Sequence, residues 1–129
     1  MSEEYIDFVN SVTSKSTKNQ SDLLEALDIM EEQGATPSRL LTTALGLNGE
    51  AAEFSELIKK CIFQGREYTD EVHAELKSEL SDIMWYIAQG CIALDTTIEE
   101  LMEINTHKLQ ERYPDGFDKN KSNARYMNE

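Results

Sequence analysis

Several long windows of the chain repeat apolar residues at i, i+3, i+4 and i+7, and no run alternates apolar and polar positions as a Val/Ile/Thr-rich strand does. The pattern predicts an all-α fold. A short first helix is marked by Tyr5, Phe8, Val9 and Val12, and the polar stretch Thr13 to Gln20 after it, with no face to bury, is expected to be a loop or a frayed end. Ser21 is the expected N-cap of a helix carrying Leu23, Leu24, Leu27 and Met30 on one face, with Gly34 as its stop. Thr36 followed by Pro37 gives a sharper start, because proline at N1 has no N–H to leave unpaired. The helix it opens should run to about Phe63, before Gly65. Gly46 and Gly49 lie inside it, each costing roughly 1 kcal/mol relative to alanine, so small residues must be useful there.

Asp70 and Glu71 place negative charge on the first turn of another helix, whose apolar period continues from Val72 to Leu94. Thr97-Ile98-Glu99-Glu100 reads as a capping box, opening a helix that reaches about Arg112 before Pro114 and Gly116 end it. Residues 118–129 are polar apart from Tyr126 and Met127 and are expected to form an extended tail. The expected architecture is one domain over residues 1–129, an antiparallel bundle of about four helices. Its apolar faces, including Leu23/Leu24/Leu27/Met30, are expected to be partly buried against another chain.

Charge narrows the function. Lys and Arg number 12 against 25 Asp and Glu, a net charge of −13, and no basic cluster is longer than Lys59-Lys60. That composition argues against a nucleic-acid binder, which must neutralise phosphates. Cys61 and Cys91 belong to no CxxC or Cys/His cluster, which points to a reducing compartment and away from zinc. The most apolar stretch, Ile83 to Leu94, is far shorter than the roughly 20 residues that cross a bilayer. The Met-Ser-Glu-Glu start lacks the basic and apolar regions of a signal peptide, so a soluble protein of the cytoplasm is expected.

In so acidic a chain, about four or five Glu/Asp pairs at i,i+3 arise by chance, so the setting of a pair matters more than its presence. Glu50 and Glu53 sit among Gly46, Gly49, Ala51, Ala52 and Phe54, with no basic residue within a helical turn. They project about 60° apart with Leu57 between them, and Lys60 falls about 20° beyond Glu53. Glu79 and Asp82 are likewise about 60° apart, with Tyr86 between them, embedded in Leu76, Leu80, Ile83, Met84 and Trp85. Four carboxylates turned toward a bundle interior require a cation, since even one unpaired buried carboxylate costs several kcal/mol. Oxygen ligands without His or Cys favour Mg²⁺, with Mn²⁺ as a substitute, and Mg²⁺ commonly shares its shell with substrate phosphates. Solvated edges of amphipathic helices are the alternative. A di-iron bundle fits less well, because neither Glu50 nor Glu79 has His at +3.

These residues resemble the MazG-type all-α nucleoside triphosphate pyrophosphohydrolases, whose signature is Glu-x-x-Glu, a spacer, then Glu-x-x-Asp. Here 25 residues separate Glu53 from Glu79. The segments Gly46 to Glu53 and Glu79 to Tyr86 read like the family's two motif helices, and Asn105 to Leu109 with Arg112 to Phe117 resembles its C-terminal segment. The resemblance covers residues 41–117, and the short chain is closer to the small members, including those of phages, than to the two-domain bacterial form. It implies Mg²⁺-dependent hydrolysis of a nucleoside triphosphate between the α- and β-phosphates, with Glu50, Glu53, Glu79 and Asp82 as metal ligands and catalytic groups. It further implies a homodimer or homotetramer with substrate near the subunit interface, in the host cytoplasm if the gene is a phage's. A preference for deoxynucleotides is expected on the same ground.

Asn105, Lys108 and Arg112 project within about 60° of one another and form a polar stripe suited to phosphate. Lys108 and Arg112 also fit an ordinary cationic helix C-terminus, and Lys60 a solvated helix end. Tyr86 either touches substrate or is a core tyrosine with its hydroxyl bonded locally. His73 and His107 have no partner at metal spacing and are read as structural or surface residues. Two other functions stay open on the sequence: a non-enzymatic acidic module that binds a basic partner, and a hydrolase of a nucleotide derivative. The first predicts no metal dependence, and the second predicts products other than pyrophosphate.

Overall fold

The computed structural model describes residues 1–124, all of whose regular elements are helices: α1 (Glu3–Ser11), α2 (Lys15–Lys18), α3 (Gln20–Glu32), α4 (Pro37–Phe63), α5 (Asp70–Ala93), α6 (Ile98–Arg112) and α7 (Lys119–Ala124). The all-α expectation holds. The four longest, α3 to α6, are the four long helices that the periodicity marks.

Helices α4 and α5 form an antiparallel hairpin that holds the core. Leu57, Val72 and Leu76 are buried at its closed end, with Phe54, Ile58 and Cys61 packed around them. The turn is shaped by Gly65 at φ +68°, and Arg66 donates to Glu75 at 2.8 Å across it. At the open end the Thr36 hydroxyl donates to the Ala93 carbonyl at 3.0 Å, and Arg39 donates to Gln89 at 2.7 Å. Along the hairpin the partner numbers fall as the α4 numbers rise, as an antiparallel pair requires. Helices α3 and α6 lie against the hairpin and leave much of their outer faces exposed: Leu23, Leu24, Met102 and Ile104 are all in solvent.

Several local details differ from the sequence reading. The stretch Thr13 to Gln20 is not simply a loop, because the Ser14 side chain accepts from the Thr17 amide and opens the short α2. Asn19, not Ser21, caps α3; its side chain accepts from the Asp22 amide, and Ser21 donates its hydroxyl to the same Asn19 oxygen. Thr36 makes no side-chain cap on α4, since its hydroxyl is taken by Ala93. Thr97 does cap α6 through the Glu100 amide, but the Glu100 carboxylate accepts from Thr96. The expected extended tail folds in part into α7, where the Asp118 carboxylate accepts from the amides of Asn120 and Lys121. Tyr126 and Met127 lie outside the described residues.

Candidate functional site

Midway along the hairpin, three carboxylates from two helices converge. Glu50 and Glu53 of α4 and Glu79 of α5 each offer an oxygen, all within 4.8 Å of one another. Glu50 and Glu79 lie near the line where the helices meet and are half-buried, whereas Glu53 and Asp82, each rotated about 60° from that line, are exposed on its rim. The expected inward set of four is therefore three converging acids with Asp82 outside the trio, though its charge still acts on Glu79.

One oxygen of Glu79, Oε2, is shut off from solvent and has no hydrogen-bond partner. Burial first, and then the neighbouring carboxylates of Glu53, Glu50 and Asp82, push the Glu79 carboxyl above its ordinary value. Among the described residues no Lys, Arg or His forms an ion pair with any of the four acids. Crowded anions with an orphaned oxygen and no protein cation fit a bound metal, and an all-carboxylate donor set suits a hard divalent ion.

Just above the trio, the Tyr86 ring lies on the bare backbone of Gly46, and Trp85 meets Tyr86 edge to face with centroids 4.9 Å apart. Tyr86 is half-buried and its ring fills the space a side chain at 46 would need, which accounts for glycine there. Gly49 has no such neighbour: among the described residues nothing comes within 4 Å of the position its Cβ would take.

The cationic candidates are not gathered here. Lys60 pairs with Glu56 at 3.9 Å, and Glu56 is held more closely by Lys59 at 2.9 Å. Asn105, Lys108 and Arg112 line a separate pocket of about 460 Å³ on α6 that contains none of the acids. Met84 and Ile87, which face α6, project about 140° and 80° from Glu79 in the sense opposite to Asp82, so the stripe lies on the other flank of α5. Arg112 is already engaged, donating to the carbonyls of Lys121 at 2.8 Å and Ser122 at 3.4 Å. Of the interactions that shape the region, the Thr36–Ala93 and Arg39–Gln89 contacts at the open end left no sequence signal, being side-chain contacts between distant positions.

Fold and site together define an all-α protein with an acidic groove fitted for a divalent cation. The family described as "MazG nucleotide pyrophosphohydrolase domain" matches residues 38–117, and the chain belongs to that family. The chain is also similar to the Gene 37 protein of Mycobacterium phage L5, with 39% identity over 70 residues. That match covers 53% of this chain and 60% of the phage protein, so the chain spans less than two thirds of that relative. No solved structure matches the chain significantly. Among the described residues, no helix is long and apolar enough to cross a membrane.

Proposed function

We propose that the protein hydrolyses nucleoside triphosphates, deoxynucleotides preferentially, to the monophosphate and pyrophosphate with Mg²⁺ as its metal. The observation that carries this reading is the convergence of Glu50, Glu53 and Glu79, with Glu79 Oε2 unpaired, inside the family-matched region. These three residues would hold the ion, with Asp82 on the rim completing the set. When bound, the ion neutralises charge on the phosphate oxygens and lowers the pKa of water.

The chain's own groups do the rest. One carboxylate of the acidic set accepts the proton of a water that attacks the α-phosphorus; the bond from that phosphorus to the α–β bridging oxygen breaks, and pyrophosphate leaves. The Tyr86 ring, seated on Gly46, closes one end of the groove against water and offers an edge to the nucleoside. Lys108, Arg112 and Asn105 are proposed phosphate contacts, as is Lys60. Because the α6 stripe lies on the far flank of α5, a homodimer or homotetramer would bring the stripe of one copy toward the acids of another. Local cations are needed, since the overall charge of −13 repels a triphosphate.

The test is a panel of NTPs and dNTPs with Mg²⁺, scored for pyrophosphate, with chelator as control. Pyrophosphate released only with metal supports the reading. Orthophosphate as the sole product, or no turnover on any nucleotide, overturns it.

A further inference from the structure

The N-terminal helix lies outside the family-matched segment, yet it has a strongly one-sided face. Tyr5, Phe8, Val9 and Val12 project into one arc of about 100°, and Glu3, Asp7 and Asn10 occupy the opposite side. Among the described residues nothing covers that arc: Tyr5 is 54%, Phe8 59% and Val12 68% exposed, and none of the extensively packed helix pairs includes α1. The joint to α2 is short: the Thr13 hydroxyl donates to the Val9 carbonyl at the end of α1, and Ser14 caps α2.

A groove elsewhere in the fold has complementary dimensions. Between α5 and α6 lies an apolar trough of about 510 Å³, lined by Met84, Ile87, Leu101, Met102 and, at one end, Asn105. It runs along α6 from Ile98 to Thr106, a span of about 13.5 Å, which is also the length of the nine-residue α1. Asn105 is shared with the pocket of Lys108 and Arg112, so that end of the groove is cationic, while the first turn of α1 carries Glu3 and Glu4.

The exposed area leaves ample surface for a second copy to cover. The chain exposes 10,506 Å², whereas a compact monomer of 14.7 kDa exposes about 6,900 Å². The excess of about 3,600 Å² is several times the roughly 800 Å² per partner that a stable interface needs. We propose that α1 is an exchanged arm: its Tyr5/Phe8/Val12 face packs into the α5–α6 groove of a second copy of this chain, with its acidic first turn toward that copy's cationic end. The interaction is a helix laid in an apolar groove; the groove is separate from the acid trio, which lies on the other flank of α5, and adjoins the proposed phosphate stripe at Asn105.

The experiment uses the full chain. Light scattering at micromolar concentration should give at least twice 14.7 kDa, and both Phe8→Asp and Met102→Glu should weaken self-association at least tenfold while far-UV helicity is kept. For a readout that does not depend on disruptive changes, Phe8→Cys and Met102→Cys are prepared separately, mixed and oxidised. A cross-linked pair that forms only in the mixture, above the background of Cys61 and Cys91, is the expected result. A monomeric wild type, an oligomer indifferent to both disruptive variants, or a mixture that does not cross-link beyond either variant alone overturns the proposal.

Discussion

The Tyr86 ring and the backbone of Gly46 occupy one site: a methyl group at position 46 would overlap the ring. Tyr86 is rooted on α5 one turn beyond Asp82, and Gly46 lies one turn before Glu50, so this contact sets how closely the two acid-bearing helices approach. Gly46→Ala should therefore destabilise the protein by about 1–3 kcal/mol in denaturant unfolding, the usual cost of overpacking. In a Tyr86→Ala background the same change should be neutral or stabilising, because alanine is the better helix former by about 1 kcal/mol. Gly49→Ala is the control: with open space at its Cβ, it should stabilise the isolated chain. Equal losses from Gly46→Ala in both backgrounds would show that Tyr86 is not the cause.

The contrast between these two glycines shows what the sequence discloses. Helical periodicity and the Thr97, Asp70/Glu71 and Gly34 signals mark the long helices, because each is a local consequence of backbone chemistry. The two acid pairs were visible because their neighbours are apolar or small. Which of the four converge depends on the depth and register of the α4–α5 contact, set by Gly46/Tyr86 and by Thr43 against Gly90, and i,i+3 spacing does not encode it. Thr36 likewise looks like a cap in sequence, and only the arrival of Ala93 redirects its hydroxyl. The sequence does not mark the short α2 and α7, because Lys15–Lys18 and Lys119–Ala124 carry no large apolar residue and so no apolar stripe.

Glu79 should dominate the response to metal. Its shut-off, unpaired Oε2 and its crowding by Glu53 and Glu50 disfavour its charged form in the metal-free protein. Glu79→Gln removes that repulsion, so the metal-free melting temperature should rise, while added Mg²⁺ or Mn²⁺ should raise the melting temperature of wild type by several degrees and of the variant hardly at all. Turnover should fall by at least about 100-fold in Glu79→Gln, Glu50→Gln and Glu53→Gln, and also in Asp82→Asn if the rim acid completes the set. Calorimetry and pyrophosphate release check both halves. A folded Glu79→Gln variant with the wild-type metal shift and full activity would remove the site.

Arg112 and Lys108 share a stripe but not a state. Arg112 is tied to the carbonyls of Lys121 and Ser122 and stacks over Tyr113 at 5.3 Å, whereas no ion pair engages Lys108 among the described residues. Lys108→Ala should then raise KM for the triphosphate about tenfold and leave the melting temperature nearly unchanged. Arg112→Ala should raise KM and also release α7, seen as faster amide exchange across residues 119–124. If Lys108→Ala leaves KM unaltered, the stripe is only a cationic helix end.

Discrimination between sugars must come from groups that the acid trio does not supply, because metal and phosphate contacts are common to every nucleoside triphosphate. The aromatic pair Trp85 and Tyr86 stands beside the acids; Trp85 is 56% exposed and Tyr86 is half-buried against Gly46. A ring pinned against a helix backbone cannot swing away to admit an extra hydroxyl, whereas an exposed indole can adapt to different bases. Deoxynucleotides should therefore be preferred over ribonucleotides of the same base by more than about threefold in kcat/KM. Tyr86→Ala should narrow that ratio by raising ribonucleotide turnover relative to deoxynucleotide, and Trp85→Ala should change base preference without touching the sugar ratio. Paired dNTP and NTP kinetics for each of four bases, on wild type and both variants, provide the check. Wild-type ratios within a factor of about three would overturn the sugar preference and leave the acid site standing.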